Sequence, residues 1–470
     1  MKPSACATAR ATVDLPAPAG PSIATSMAAG TIGDVKLLRP LRERDFALLW
    51  TGMTVSLLGD GIYLVAIAWQ VYDLKNDPVA LSLVGLSFTG GMVAFLLTGG
   101  IVSDRVERRR VLIGADLVRA AVLLVIGLLS LSGNLEIWHI VCLVALFGAG
   151  EAFFGPAFGA LVPDVVAMEH LVQANSLDQL VRQASGRLIG PALGGFVVAA
   201  VGTGSAFVID SCTFLFSAAC IMALRVRSAP APEAERSLRR ELREGLHFVR
   251  GQAWLWSTLV AASLSILFFF GPLEVLLPYV VRNGLDAGPG SYGAIMTASG
   301  AGAIAASLVL SQRGLPRRRY LTLMYVAWSL GTVPLVGYAT GTAVWQLMLF
   351  AVFFGALITA GSIVWGTLMQ ARVPPDLRGR VHSLDWFISI GLAPLSFALT
   401  GPVSNAIGVE ATLIVAGVVP MAATAALFFV ARLRADEESN PLAGAGEQGA
   451  ERIGDPPLAA EALGAAQRGH

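Results

Sequence analysis

The feature that most limits what this chain can become is a series of apolar runs, each near the roughly 20 residues that an α-helix needs to cross about 30 Å of hydrocarbon. They fall at Phe46 to Val71, Leu81 to Ile101, Val111 to Leu131, Ile137 to Leu161, Leu180 to Val201 and Ala206 to Leu224. A second set follows at Leu255 to Val281, Tyr292 to Leu310, Tyr320 to Tyr338, Ala343 to Leu368, Leu384 to Val403 and Ala411 to Val430. The runs do not alternate in polarity, and in lipid each backbone polar group has to be satisfied within its own segment, so helices are required rather than barrel strands. The predicted fold is an all-α polytopic membrane protein of twelve transmembrane helices in two six-helix halves. Only 14% of residues are charged, against about 25% in an average soluble chain, which is too few to cover a water-facing surface of this length. A formal net charge of +1 offers nothing to a nucleic acid.

Placement of the charges sets the orientation. Lys36, Arg39, Arg42 and Arg44 precede span 1, and Arg105, Arg108, Arg109 and Arg110 follow span 2. Further clusters lie at Arg225 to Arg250, Arg313 to Arg319, Arg378 and Arg380, and Arg432 and Arg434, whereas the opposite loops hold little beyond Lys75 and Arg282. The positive-inside rule then predicts a multi-pass protein of the inner (cytoplasmic) membrane with both termini in the cytoplasm. Trp69, Trp138 and Trp345 fall at span ends, where headgroup-level aromatic rings are expected.

Five units are expected. Residues 1–36 lack the apolar block of a signal peptide and read as a disordered cytoplasmic leader, with Met27 an alternative start. Residues 37–224 and 253–433 are the two halves, and 434–470 a disordered tail. The linker, 225–252, carries Leu238, Leu242, Leu246 and Phe248 opposite Arg239, Arg240 and Arg243, the pattern of a basic amphipathic helix on the membrane surface. Cys6, Cys142, Cys212 and Cys220 lack metal or disulfide spacing. The five histidines form no cluster and no Walker pattern occurs, so neither a cofactor nor an enzymatic activity is expected.

The halves echo each other. Ser103-Asp104-Arg105 with Arg108 to Arg110 corresponds to Ser311-Gln312-Arg313 with Arg317 to Arg319. Pro163-Asp164 and Ser176-Leu177-Asp178 recur as Pro375-Asp376 and Ser383-Leu384-Asp385. Duplicated six-helix halves are the pattern of a secondary transporter, with its substrate site between them near the midplane.

Two longer motifs carry a family resemblance: the loop Gly100-Ile101-Val102-Ser103-Asp104-Arg105-Val106-Glu107-Arg108-Arg109, and Gly186-x-x-x-Gly190-Pro191-x-x-Gly194-Gly195 in span 5. With Gly59-Asp60, Ala152-Phe153-Phe154-x-Pro156-Ala157 and Leu377-Arg378-Gly379-Arg380-Val381, they resemble the major facilitator superfamily over Leu37 to Leu433. Within it the chain is most similar to the twelve-span macrolide-efflux and siderophore-export type of drug:proton antiporter. The resemblance implies that Gly100, Asp104, Arg105, Arg108 and Arg109 latch a cytoplasmic gate against the start of span 11. Glu107 stands where the family usually has a second glycine. The plainer reading of the arginines is a topology anchor. Gly186, Gly190, Pro191, Gly194 and Gly195 would form a small-residue face, bent at the proline and packed on a helix of the other half, although generic membrane packing also uses such residues. The arginine that many drug antiporters carry in span 4 has no counterpart in Leu143 to Gly150.

Asp60, Glu151, Arg187, Asp210 and Glu274 lie within the expected spans. An ionisable group at that depth meets a partner, opens on water or carries a proton. Asp60, Glu151, Arg187 and Asp210 are therefore the proton-coupling candidates, with static ion pairing the alternative. Asp116 and Arg119 read as a local pair near the inner surface, Asp178 and Asp385 as caps or gates of spans 5 and 11, and Phe268, Phe269, Phe270, Met348, Phe353 and Phe354 as lipid-facing or packing side chains, with the lining of an amphipathic drug cavity as the alternative. The expected function is export of a small amphipathic compound, a drug such as a macrolide or a secreted metabolite such as a siderophore, by alternating access in exchange for protons. Its partners would be that substrate, protons and the lipid bilayer, with the protein acting as a monomer. An importer of the same fold and a non-transporting receptor are the alternatives.

Overall fold

The computed structural model describes residues 36–167, 170–226, 246–316, 318–374 and 377–442. Its first half contains α1 (Arg44–Leu74), α2 (Pro78–Arg105), α3 (Arg108–Leu131), α4 (Ile137–Val165), α5 (Leu171–Ala184) and α6 (Gly190–Met222). The second contains α7 (Ala253–Ser265), α8 (Gly271–Tyr279), α9 (Pro289–Arg313), α10 (Tyr320–Thr332), α11 (Pro334–Thr340), α12 (Val344–Arg372), α13 (Arg378–Gly391), α14 (Ala393–Ile407) and α15 (Val409–Val430), followed by the short α16 (Leu433–Ser439).

Ten helices among the described residues are long and apolar enough to cross a membrane. One of them, Gln173–Met222, runs for 50 residues, about twice what a crossing needs. It doubles back at Gly202, whose φ of 79° is one that glycine adopts without a Cβ clash. Gly61 of α1 meets Gly190, while Gly59, two residues earlier, meets Asp210. In a straight helix those two partners would stand about 30 Å apart. The expected twelve therefore counts the two sides of Gly202 separately and adds the α13–α14 pair, each member of which is short.

Four spans are broken at an X-Pro step, one of them at Val333-Pro334 between α10 and α11. A π-turn, Ser185–Ile189, separates α5 from α6, which resumes at Gly190 with Pro191 in its first turn. Another, Ile266–Phe270, precedes Gly271-Pro272 of α8, and α13 stops just before Ala393-Pro394 of α14. Proline has no N–H for the carbonyl four residues back, and its ring crowds that carbonyl. A wider turn ahead of it relieves both problems. At Pro191, where a bend is expected, the helix carries the π-turn Ser185–Ile189 just ahead of the proline.

The apolar core is divided unequally. One cluster, holding Ile67, Tyr72, Leu276 and Tyr292, joins both halves toward the Lys75 and Arg282 end. At the arginine-rich end each half has its own: Phe46, Leu112 and Leu161 in the first, Trp254, Tyr320 and Leu368 in the second. The halves are thus fused at one end and separately packed at the other.

Two expectations change. Trp138 and Trp345 are exposed as expected, but Trp69 is buried, stacked on Tyr292 with 6.5 Å between ring centroids, because the halves meet over it. Residues 434–439 are helical in place of the disordered tail, since Arg372 holds Asp436 at 2.6 Å and Tyr320 donates to the Asn440 carbonyl at 2.6 Å. Of the linker only 225–226 and 246–252 are described; 246–251 is helical, with Val249 buried, and Leu238, Arg239, Arg240, Leu242 and Arg243 lie outside the described residues, as does nearly all of the leader.

Candidate functional site

Where the shared core gives way to the separate ones, a cavity of about 470 Å³ lies between the halves. α1 supplies Asp60, Gly61 and Tyr63, α2 supplies Phe88 and Met92, and α4 supplies Phe147 and Glu151. From the second half come Phe270, Glu274, Tyr292 and Phe397. The wall is mainly apolar, with three carboxyl side chains and no lysine or arginine in its described lining. Phe270, for which cavity lining was the alternative to packing, is part of this wall.

The cavity is closed toward the Lys75 and Arg282 end by bonds between the halves. Arg282 pairs with Asp73 at 2.6 Å, Asn76 and Asn283 exchange amide hydrogen bonds at 2.6 and 3.0 Å, and the Tyr72 hydroxyl donates to the Val275 carbonyl at 2.6 Å. The Arg282 guanidinium also lies 5.9 Å from the Trp69 ring centroid, roofing the stacked pair.

Behind the cavity wall sits a buried charge cluster. Arg119 of α3 is 3% exposed and binds Glu151 at 2.6 Å and Asp116 at 2.5 Å. Its guanidinium carbon lies 4.3 Å from the Phe154 ring centroid and 4.4 Å from that of Phe214. The expected pairing of Asp116 with Arg119 is present, and the arginine also reaches from this buried acid to one that faces the cavity. Arg187 is exposed on the π-turn, and its electrostatic partner is Glu274 of the second half. Asp210 is fully buried behind Gly59, with one oxygen accepting from Thr213 at 2.9 Å and the other without a hydrogen-bond partner. It stands outside the cavity lining.

The span 5 motif uses two faces. A methyl group on Gly190 would lie 2.9 Å from Gly61 Cα, and one on Gly194 would lie 2.7 Å from the Gly61 carbonyl oxygen, both in the same half. Gly195 faces the other half, where a methyl would come within 3.1 Å of Gly293 Cα. Nothing lies within 4 Å of the same position on Gly186, which lines the cavity. The expectation of one face against the other half thus holds for Gly195 and not for Gly190 or Gly194. The glycines opposite, Gly61, Gly293 and Gly300, were not picked out from the sequence, because no fixed spacing links them to span 5.

In the loop motif, Arg108 donates to the Ala160 carbonyl at 3.1 Å and pairs with Asp164 at 2.9 Å, while Arg109 donates to the carbonyls of Ile221 and Met222. These partners all belong to the first half. The side chains of Asp104 and Arg105, and the surroundings of Gly100, lie outside the described residues. Asp178 pairs with Arg182 at 3.0 Å within α5, and Asp385 accepts from Trp365 at 3.2 Å.

Residues 36–452 match a family described as transmembrane secretion effector, MFS_3. The chain is 22% identical over 378 residues to macrolide efflux protein A of Streptococcus pyogenes, covering 79% of this chain and 92% of that protein. It is 26% identical over 404 residues to multidrug efflux pump Tap of Mycolicibacterium fortuitum, covering 82% and 95%. The fold resembles that of the nucleoside transporter NupG, with a TM-score of 0.61 at 14% identity over 83% of this chain and 98% of that one. Matched over most of its length, and folded as two helical halves about a central cavity, the chain belongs to the MFS_3 family of major facilitator transporters.

Proposed function

We propose that this protein exports cationic amphipathic compounds across the cytoplasmic membrane by alternating access, in exchange for protons. The observation that carries this is the cavity: drug-sized, apolar, formed by both halves, and equipped with Asp60, Glu151 and Glu274 but no described basic residue. Such a lining solvates a hydrophobic body and an ammonium group together. An anionic siderophore would find no countercharge there, so the amine-bearing drug is favoured over that alternative. The two efflux relatives support the direction.

In this reading the chain crosses the membrane twelve times with both termini inside. The arginine-rich end faces the cytoplasm, and the conformation is the one that loads substrate. A substrate cation competes with protons for Asp60 and Glu151, and Glu151 leaves Arg119 when protonated. Asp104 and Arg105, beside Arg108 and Arg109 seated on the first half, latch the cytoplasmic end in the opposite state.

The test loads cells with and without the protein with a fluorescent lipophilic cation or, in parallel, with a ferric siderophore. Lower accumulation of the cation alone is expected, and Asp104→Asn at equal membrane level should abolish the difference. Depletion of the siderophore alone would refute the substrate class, no depletion of either would refute export, and normal export by Asp104→Asn would remove the latch.

A further inference from the structure

A second concavity, of about 1000 Å³, lies away from the transport cavity, between α10 and α15 at the arginine-rich end. Its floor is apolar and outward-facing: Val326 and Leu330 of α10 are 49% and 48% exposed, and Phe429 of α15 is 75% exposed. Ala422 and Ala425 fall between the bulkier Met421 and Phe428 on α15, and their small side chains make the surface concave. Arg318, Arg319, Arg432 and Arg434 form the rim.

The acids around this rim are already engaged. Glu437 is 1% exposed and accepts from the Thr322 backbone N–H at 2.9 Å and from the Thr322 hydroxyl. Glu438 pairs with Arg434 at 3.3 Å, and Asp436 pairs with Arg372 at 2.6 Å. Among the described residues, Arg318, Arg319 and Arg432 have no ion-pair partner. Arg432 sits at φ 52°, a left-handed conformation unusual for arginine. There the chain turns from α15 into α16, and the docking of α16 on α10 and α12 holds Arg434 at the rim.

We infer that this groove binds an anionic phospholipid of the cytoplasmic leaflet, with its phosphate among Arg318, Arg319 and Arg432 and an acyl chain along Val326 and Leu330. From Tyr320 to Leu330 the helix rises about 15 Å, half of the roughly 30 Å hydrocarbon layer, which matches one leaflet. Guanidinium groups suit phosphate oxygens through paired N–H donors. Arginines that only anchored topology would need no apolar recess beneath them, and a basic pocket between helices on the cytoplasmic side has the chemistry of a lipid headgroup site.

The test reconstitutes the full chain in nanodiscs of phosphatidylcholine and titrates in photoactivatable phosphatidylglycerol, mapping the cross-linked peptides. Cross-linking to α10 and α15 that saturates, and that unlabelled phosphatidylglycerol displaces but phosphatidylcholine does not, is expected. Replacing Arg318, Arg319 and Arg432 together with glutamine should weaken binding on the order of a hundredfold. Ala425→Trp, which fills the floor and leaves the charges, should also reduce it, so the result stands even where the triple variant fails to insert. Equal displacement by both lipids, undiminished binding in Ala425→Trp, or a second copy of the chain cross-linked in the groove would each overturn the proposal.

Discussion

Arg119 shows how one side chain can organise the others in this protein. It belongs to α3, yet its guanidinium reaches Glu151, one of the carboxyl side chains on the cavity wall. Removing one partner of a buried ion pair strands the other, at about 3 to 5 kcal/mol. We therefore expect Arg119→Leu to lower thermal stability in detergent by an amount in that range, whereas Glu151→Gln, whose side chain is 39% exposed, should remain folded. Among Asp60→Asn and Glu151→Gln, at least one should abolish substrate-induced proton movement in reconstituted vesicles. Full coupling in both would exclude these carboxyls as carriers. Asp60 and Glu151 were legible as intramembrane acids. The reach of Arg119 was not: its three-residue spacing from Asp116 suggests a self-contained pair, and Glu151 lies 32 positions away.

At the level of the helix, the span 5 motif separates close approach from mere smallness. A Cβ on Gly190 has to displace backbone of α1, and backbone yields less readily than a side-chain tip. Overpacking of this kind costs about 1 to 3 kcal/mol. Gly190→Ala and Gly61→Ala should both lose stability by about that much and export poorly. Gly186→Ala, with open space around it, should behave as wild type in thermal unfolding. Because alanine is the better helix former, a loss in Gly186→Ala equal to that in Gly190→Ala would show that close approach to α1 is not what the motif provides. The breaks at Gly271-Pro272 and Ala393-Pro394 had the same sequence signal as Pro191, a proline in mid-span, and the second strengthens the correspondence between spans 5 and 11.

For the molecule as a whole, the unequal core determines which end can open. The halves share apolar packing and, among the described residues, five hydrogen bonds or ion pairs at one end, so the opposite conformation requires those contacts to break. Net contributions of about 0.5 to 1.5 kcal/mol per hydrogen bond, and less for a partly exposed ion pair, leave the closure adjustable. Tyr72→Phe combined with Arg282→Gln should raise the population open at that end by roughly tenfold, as 1.4 kcal/mol would. An Ala68→Cys reporter in a background without native cysteines should then react correspondingly faster with a membrane-impermeant maleimide applied outside. An unchanged rate would mean that apolar packing alone holds the end shut.

The order of residues was enough to establish that the chain is helical and membrane-spanning, where most of its crossings begin and end, and which loops are arginine-rich. Those properties are local: hydrocarbon imposes them on each segment separately, whatever its neighbours do. The pairing of Gly61 with Gly190, the bridge from Arg119 to Glu151, the burial of Trp69 and the arginine-rimmed groove between α10 and α15 depend on which helix faces come together. Partners in such contacts are separated by tens to hundreds of residues and share no periodicity, so nothing in either segment alone names the other. Helix packing in three dimensions makes that choice, through the depth at which small residues allow backbones to approach and buried charges to find a countercharge.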